Sequence, residues 1–177
     1  RYDLSSQSLY VNGEKNTNDN NTISYSVSLS HWGDGIFSFF SGFNANNNRT
    51  VSSIRKDAAT NYWSYTAYGN GQIRLKKIKT YIDLNFDANI YPQSSVFPNQ
   101  RNVYIFSPAI RKVFSKTDAW ELTLFVFDLL NQNSNVNRNI TSNFISESTN
   151  NGLKKYFLLS IVYNFSKNGK PSNMMSW

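Results

Sequence analysis

Residues 80–90 read Thr-Tyr-Ile-Asp-Leu-Asn-Phe-Asp-Ala-Asn-Ile, with Ile82, Leu84, Phe86, Ala88 and Ile90 at the even positions and Tyr81, Asp83, Asn85, Asp87 and Asn89 at the odd ones. Successive side chains of a β-strand point to opposite faces, so this stretch is a strand with one apolar and one polar face. The same period recurs on either side of it. Ile23, Tyr25, Val27 and Leu29 alternate with serines, Phe37, Phe39 and Phe43 fall in phase, and Trp63, Tyr65, Ala67 and Ile73 share a face toward Leu75. Further on come residues 102–114, then 119–128 with Trp120, Leu122, Leu124 and Val126 in phase, then 156–165 with Phe157, Leu159, Ile161, Tyr163 and Phe165 in phase. With a weaker first strand at residues 2–11, about eight strands are expected and helical spacing is hard to find.

Composition narrows the class. The 177 residues are 40% apolar, 16% aromatic and 16% charged, with 13 Phe and 11 Tyr. An average soluble domain has more apolar and charged residues, roughly 45–50% and 25%; here the polarity comes from Asn, Ser and Thr. No run of about 18–20 apolar residues exists, which excludes a spanning helix. Cysteine is absent, which excludes disulfides and thiolate metal sites. The formal charge of +7 raises nucleic acid as a partner. The basic residues argue against it, because they sit in short clusters such as Lys76, Lys77 and Lys79, or Arg111 and Lys112, with no nucleic-acid motif beside them. The chain opens at Arg1 directly in a patterned segment, which suggests a processed protein or a fragment.

The connections are expected to alternate in length. Residues 13–21, 46–60, 92–101 and 131–153 read as long polar loops, mostly rich in Asn, whereas 32–35, 76–78 and 115–118 read as tight turns. That pattern fits an antiparallel up-and-down transmembrane β-barrel, with long loops at one rim and short turns at the other. Strands of ten or more residues suit a tilted bilayer crossing. Aromatic residues near strand ends, including Trp32, Trp63, Tyr91, Phe114 and Trp120, suit interfacial girdles. A soluble sandwich would alternate in the same way and pack the apolar face on a second sheet.

The last third of the chain carries a resemblance. Asp128-Leu129-Leu130-Asn131-Gln132-Asn133, then Asn137-Arg138-Asn139-Ile140, then residues 155–165 resemble the C-terminal end of the outer-membrane β-barrel family found in TonB-dependent receptor-like proteins of the Bacteroidota. The resemblance covers roughly residues 102–166. It implies a barrel of about 22 strands around an N-terminal plug, in the Gram-negative outer membrane, taking up a small solute, glycan or peptide. The implied partners are outer-membrane lipid, the plug, a TonB-type energy coupler and a surface lipoprotein. On this reading residues 1–166 are the C-terminal part of the barrel and 167–177 a tail. Tyr156, Phe157, Tyr163 and Phe165 in the last strand resemble an assembly signal and girdle. No plug segment or energy-coupling box is visible here, and eight strands are far short of 22. A standalone small barrel with an adhesive or structural role, and a soluble glycan-binding sandwich, are the alternatives; a plug encoded upstream of Arg1 would separate the first two.

No catalytic constellation emerges, and the chain is not read as an enzyme. His31 is the one histidine and reads as a surface residue beside a tight turn. Asp83 and Asp87 lie four strand residues apart, about 13 Å, too far for a carboxylate dyad. No metal-ligand spacing, phosphate loop or cofactor motif is present. Arg74, Asp83, Asp87, Arg111 and Glu121 stand out of phase with the apolar faces and are expected to face a lumen, either lining a solute path or pairing with one another. The Asn-rich loops could hydrogen-bond sugars or peptides, or simply stay hydrated. Lysines at the short turns could attract anionic headgroups or, again, only water.

Overall fold

The computed structural model describes residues 1–54, 59–92, 101–114, 118–133, 136–140, 145–149 and 153–165. The strands are β1 (Tyr2–Val11), β2 (Glu14–His31), β3 (Phe37–Ser52), β4 (Thr60–Leu75), β5 (Thr80–Ile90), β6 (Val103–Phe114), β7 (Trp120–Phe127), β8 (Val136–Ile140), β9 (Ile145–Thr149) and β10 (Tyr156–Tyr163). Eight of them form one antiparallel sheet in the order β1-β2-β3-β4-β5-β6-β7-β10, an up-and-down meander with β1 and β10 at its two edges. Strands β8 and β9 pair separately as a hairpin within the 131–153 segment, which had read as loop throughout.

Directly paired residues of neighbouring strands share a face. The register therefore carries the apolar phase of one strand onto the next: Phe37 pairs with Ile73, Ile73 with Ile82, Ile82 with Ile110, Ile110 with Leu124, and Leu124 with Leu159. One unbroken apolar row thus crosses six strands. A slip of one residue in any pair would turn that strand's apolar set to the other side.

Two expected loops are strand. β2 begins at Glu14 and β3 continues to Ser52, so residues 14–21 and 46–52 extend the sheet. The connection before them is a two-residue turn, with Asn12 at φ 53° and Gly13 at φ 86°. Positive φ at both central positions is the type I′ geometry whose twist matches a hairpin. Asn would ordinarily leave a strand, yet here its amides bridge neighbours: Thr50 Oγ1 donates to Asn20 Oδ1 at 2.9 Å, Thr22 Oγ1 to Asn48 Oδ1 at 3.2 Å, and Asn47 Nδ2 to Asn61 Oδ1 at 2.8 Å.

The tight connections at 32–36 and 76–78 are as expected, the second being a 3-10 turn closed by Lys79 at φ 50°. Of the expected loop at 92–101, residues 93–100 lie outside the described residues, as do 115–117 and the tail 167–177. Among the described residues the only buried apolar side chains are Ala45, Ala88 and Ala109. Large apolar groups instead lie open on the apolar face: Val27 is 65% exposed, Leu29 64%, Leu159 63% and Ile161 64%.

Candidate functional site

The opposite face of the sheet is largely polar on β4 and β5 and mixed on β6, β7 and β10, where Ile105, Phe125, Phe127 and Leu158 share it, and four of the five charged residues expected there meet on it. Arg74, Tyr81, Arg111 and Thr123 form one row across β4, β5, β6 and β7. Asp83 pairs with Gln72 in the next row and Glu121 with Val113 on the other side. Arg74 Nε donates to Gln72 Oε1 at 2.8 Å, Gln72 Nε2 to Asp83 Oδ1 at 2.7 Å, and Arg74 Nη2 to Ser38 Oγ at 2.9 Å. A fourth bond, from Arg74 Nη1 to Gly33 O at 2.6 Å, ties the network to the turn between β2 and β3.

Arg111 stands between two carboxylates, 4.0 Å from Asp83 Oδ2 and 4.0 Å from Glu121 Oε2, with its guanidinium carbon 4.8 Å from the centre of the Tyr81 ring. Glu121 is buried, and Thr123 Oγ1 donates to its Oε1 at 3.4 Å. Two arginines and two carboxylates balance, so this patch holds a neutral lattice rather than a field of one sign. Asp87 is on the same face but outside the lattice, exposed and paired with Tyr68. Tyr68 itself lies over Gly42, where a Cβ would come within 2.4 Å of its ring.

The apolar face is edged with aromatics at both ends. Toward the Asn-rich end Trp63 stacks on Tyr65 at 6.1 Å and Tyr65 on Phe43 at 6.0 Å. Toward the short turns Trp120 and Tyr163 stand 4.6 Å apart and Tyr163 and Phe165 4.5 Å. Of the residues quoted from the last strand, Phe157 and Tyr163 share this face by register, whereas Tyr156 pairs with Phe127 on the opposite one and stacks on it at 5.1 Å. His31 ends β2, exposed, 6.2 Å from the Phe39 ring.

The structure also gives the 128–133 segment a role that periodicity could not reveal. Asp128 is fully buried, at φ 47°. Its Oδ1 accepts from the backbone N–H of Gln132 at 3.1 Å and its Oδ2 from that of Asn133 at 2.8 Å, while its own N–H donates to Ser107 Oγ at 3.1 Å. Asn131, at φ 56°, accepts from Lys155 N–H through Oδ1 at 3.5 Å. The Asp-Leu-Leu-Asn sequence is thus a turn that stops β7 and receives the chain entering β10.

Among the described residues no group of three or more His, Asp or Glu side chains is placed to hold a metal ion. Comparison with protein-family models, curated proteins and solved structures finds no match.

Proposed function

We propose that this chain is a wall segment of an outer-membrane β-barrel, and that the barrel is a TonB-dependent receptor-like transporter for nutrient uptake. The observation that carries the membrane reading is the inversion of burial: side chains such as Val27, Leu159 and Ile161 lie open while Glu121, Ser38, Ser107 and Asp128 are hidden. In water that distribution is unfavourable by about 25 cal/mol for each Å2 of apolar surface left exposed. Lipid removes the penalty, and a polar lumen accommodates the other face.

Dimensions support the same reading. On β6 the outward phase runs from Tyr104 to Phe114 and is apolar but for Lys112 near its end, about 34 Å along a strand, which projects to about 26 Å at a tilt near 40°, close to the band of about 25 Å in such barrels. The edges at β1 and β10 favour a segment over a closed small barrel, since lipid cannot satisfy open backbone groups and further strands would have to pair there. Uptake rests on the resemblance of the C-terminal third, which also supplies the expected plug, energy coupler, lipoprotein partner and solute.

The deciding experiment is extraction of the intact protein from cell envelopes. It is expected in the outer-membrane fraction and monodisperse only in detergent or lipid. A soluble monomer that unfolds cooperatively in plain buffer would overturn the membrane reading. Solute accumulation that is unchanged when the protein or the energy coupler is deleted would overturn the transporter reading alone.

A further inference from the structure

At the short-turn end, the apolar face does not stop at the aromatics but runs into a group of lysines. The register row Leu75, Thr80, Lys112, Leu122, Ile161 places Lys112 on that face between a threonine and a leucine. Its Nζ turns away from the strands and donates to Ile78 O in the 3-10 turn. A lysine that lays its stem along apolar surface while its ammonium reaches the polar boundary is snorkelling. Residues 75–79 are all exposed. Within them, Lys76 Nζ donates to Asp34 O, Lys79 pairs with Asp118, and Lys77 has no hydrogen bond or ion pair among the described residues. Of these four ammoniums only that of Lys79 meets a carboxylate among the described residues, while those of Lys76 and Lys112 reach backbone carbonyls, one register row from Trp120 and Tyr163.

We propose that this edge is a binding site for an anionic glycerophospholipid, with the phosphodiester held by Lys76, Lys77 and Lys112 and the acyl chains laid along Ile73, Ile82 and Ile110. Aromatic rings of this kind sit at the headgroup level of a bilayer, which brings the lysines to the depth of the phosphates. The uncompensated positive charge selects the headgroup. A zwitterionic lipid carries its own cation, which the lysines repel, whereas a phosphatidylglycerol-type headgroup brings only the negative charge that the site lacks. The site rests on the membrane reading above.

The test uses the intact protein in phosphatidylcholine bilayers containing phosphatidylglycerol, with a bimane fluorophore on a cysteine replacing Leu122. Bromine on the acyl chains of one lipid or the other quenches the fluorophore when that lipid occupies the adjacent position. Brominated phosphatidylglycerol should quench more strongly than brominated phosphatidylcholine at equal mole fraction. Lys77→Gln should weaken the preference about fivefold, Lys77→Arg should keep it, and the triple Lys76→Gln, Lys77→Gln, Lys112→Gln variant should abolish it. Because Lys77 holds no part of the turn, its substitution separates loss of charge from loss of fold. Equal quenching by both lipids, or a preference untouched in the triple variant, would overturn the site and leave the membrane reading standing. Absence of quenching by either lipid would overturn the membrane reading and the site with it.

Discussion

Asp128 is the residue on which the most backbone depends. Two N–H groups, of Gln132 and Asn133, end on its carboxylate, and nothing polar replaces it in that buried position. Hydrogen bonds to charged groups contribute about 1.5–3 kcal/mol each, so Asp128→Ala should lower stability by about 3 kcal/mol in chemical unfolding of the detergent-solubilised protein. Asp128→Asn, which keeps one acceptor, should lose about half as much; an Asp128→Ala midpoint equal to that of the unsubstituted protein would show that the carboxylate is idle. Gly42 offers a second test, because the three atoms nearest an added methyl all belong to the Tyr68 ring and hydroxyl. Gly42→Ala should cost about 1–2 kcal/mol, and much less in a Tyr68→Ala background, so additive losses in that double-mutant cycle would refute the contact. Residues of the polar face and of the turn differ in how legible they were. The lattice residues Arg74, Asp83, Arg111 and Glu121 could be placed on one face from phase alone, since period two carries that information. Asp128 could not, because its partners are main-chain groups that reach it only after the chain bends through a left-handed residue.

At the scale of the element, β2 and β3 show where pattern reading stops. The strands at 80–90 and 156–163 were plain from alternation, because one face carries an apolar code. The far halves of β2 and β3 are polar on both faces, so alternation has nothing to report, and Asn ordinarily favours turns. The overlooked signal was Asn12-Gly13, a strong hairpin pair. Asn16 shows what holds this extension together: buried, it accepts from Ser52 Oγ at 2.8 Å and Ser53 Oγ at 3.3 Å, and donates to Asn18 Oδ1 at 3.1 Å. Asn16→Ala should therefore loosen residues 14–21 and 46–52 without unfolding the apolar zone. Hydrogen exchange should quicken at those amides and stay slow across β5 to β7. Faster exchange everywhere would mean that the extension and the apolar zone unfold as one unit.

For the whole molecule, the two faces make opposite demands on neighbouring positions. Phe86→Arg places a charge on the apolar face and should cost about 2–4 kcal/mol of insertion free energy, whereas Asn85→Arg, one residue away on the polar face, should insert normally in a heat-modifiability assay. Identical behaviour of the two would contradict the assignment of faces. The rims are addressed separately: a cysteine at Asn47 should react with an impermeant reagent on intact cells and one at Lys77 should not, and the reverse result would invert the orientation. The all-β class and the meander order were legible at this scale, because eight in-phase segments in succession pair most simply with their neighbours. What pairs with the open edges of β1 and β10 was not, since edge backbone groups carry no sequence code. β7 and β10 pair residue for residue from Trp120 with Tyr163 to Phe127 with Tyr156, although the β8–β9 hairpin intervenes in the chain. The hairpin forms no part of that ladder, and the segment is pinned at its base by Asp128, Asn131 and Lys155. If those three residues are retained, a foreign epitope or reporter peptide grafted between Asn133 and Leu153 should leave the β7–β10 ladder intact and, in the orientation proposed above, be displayed at the cell surface.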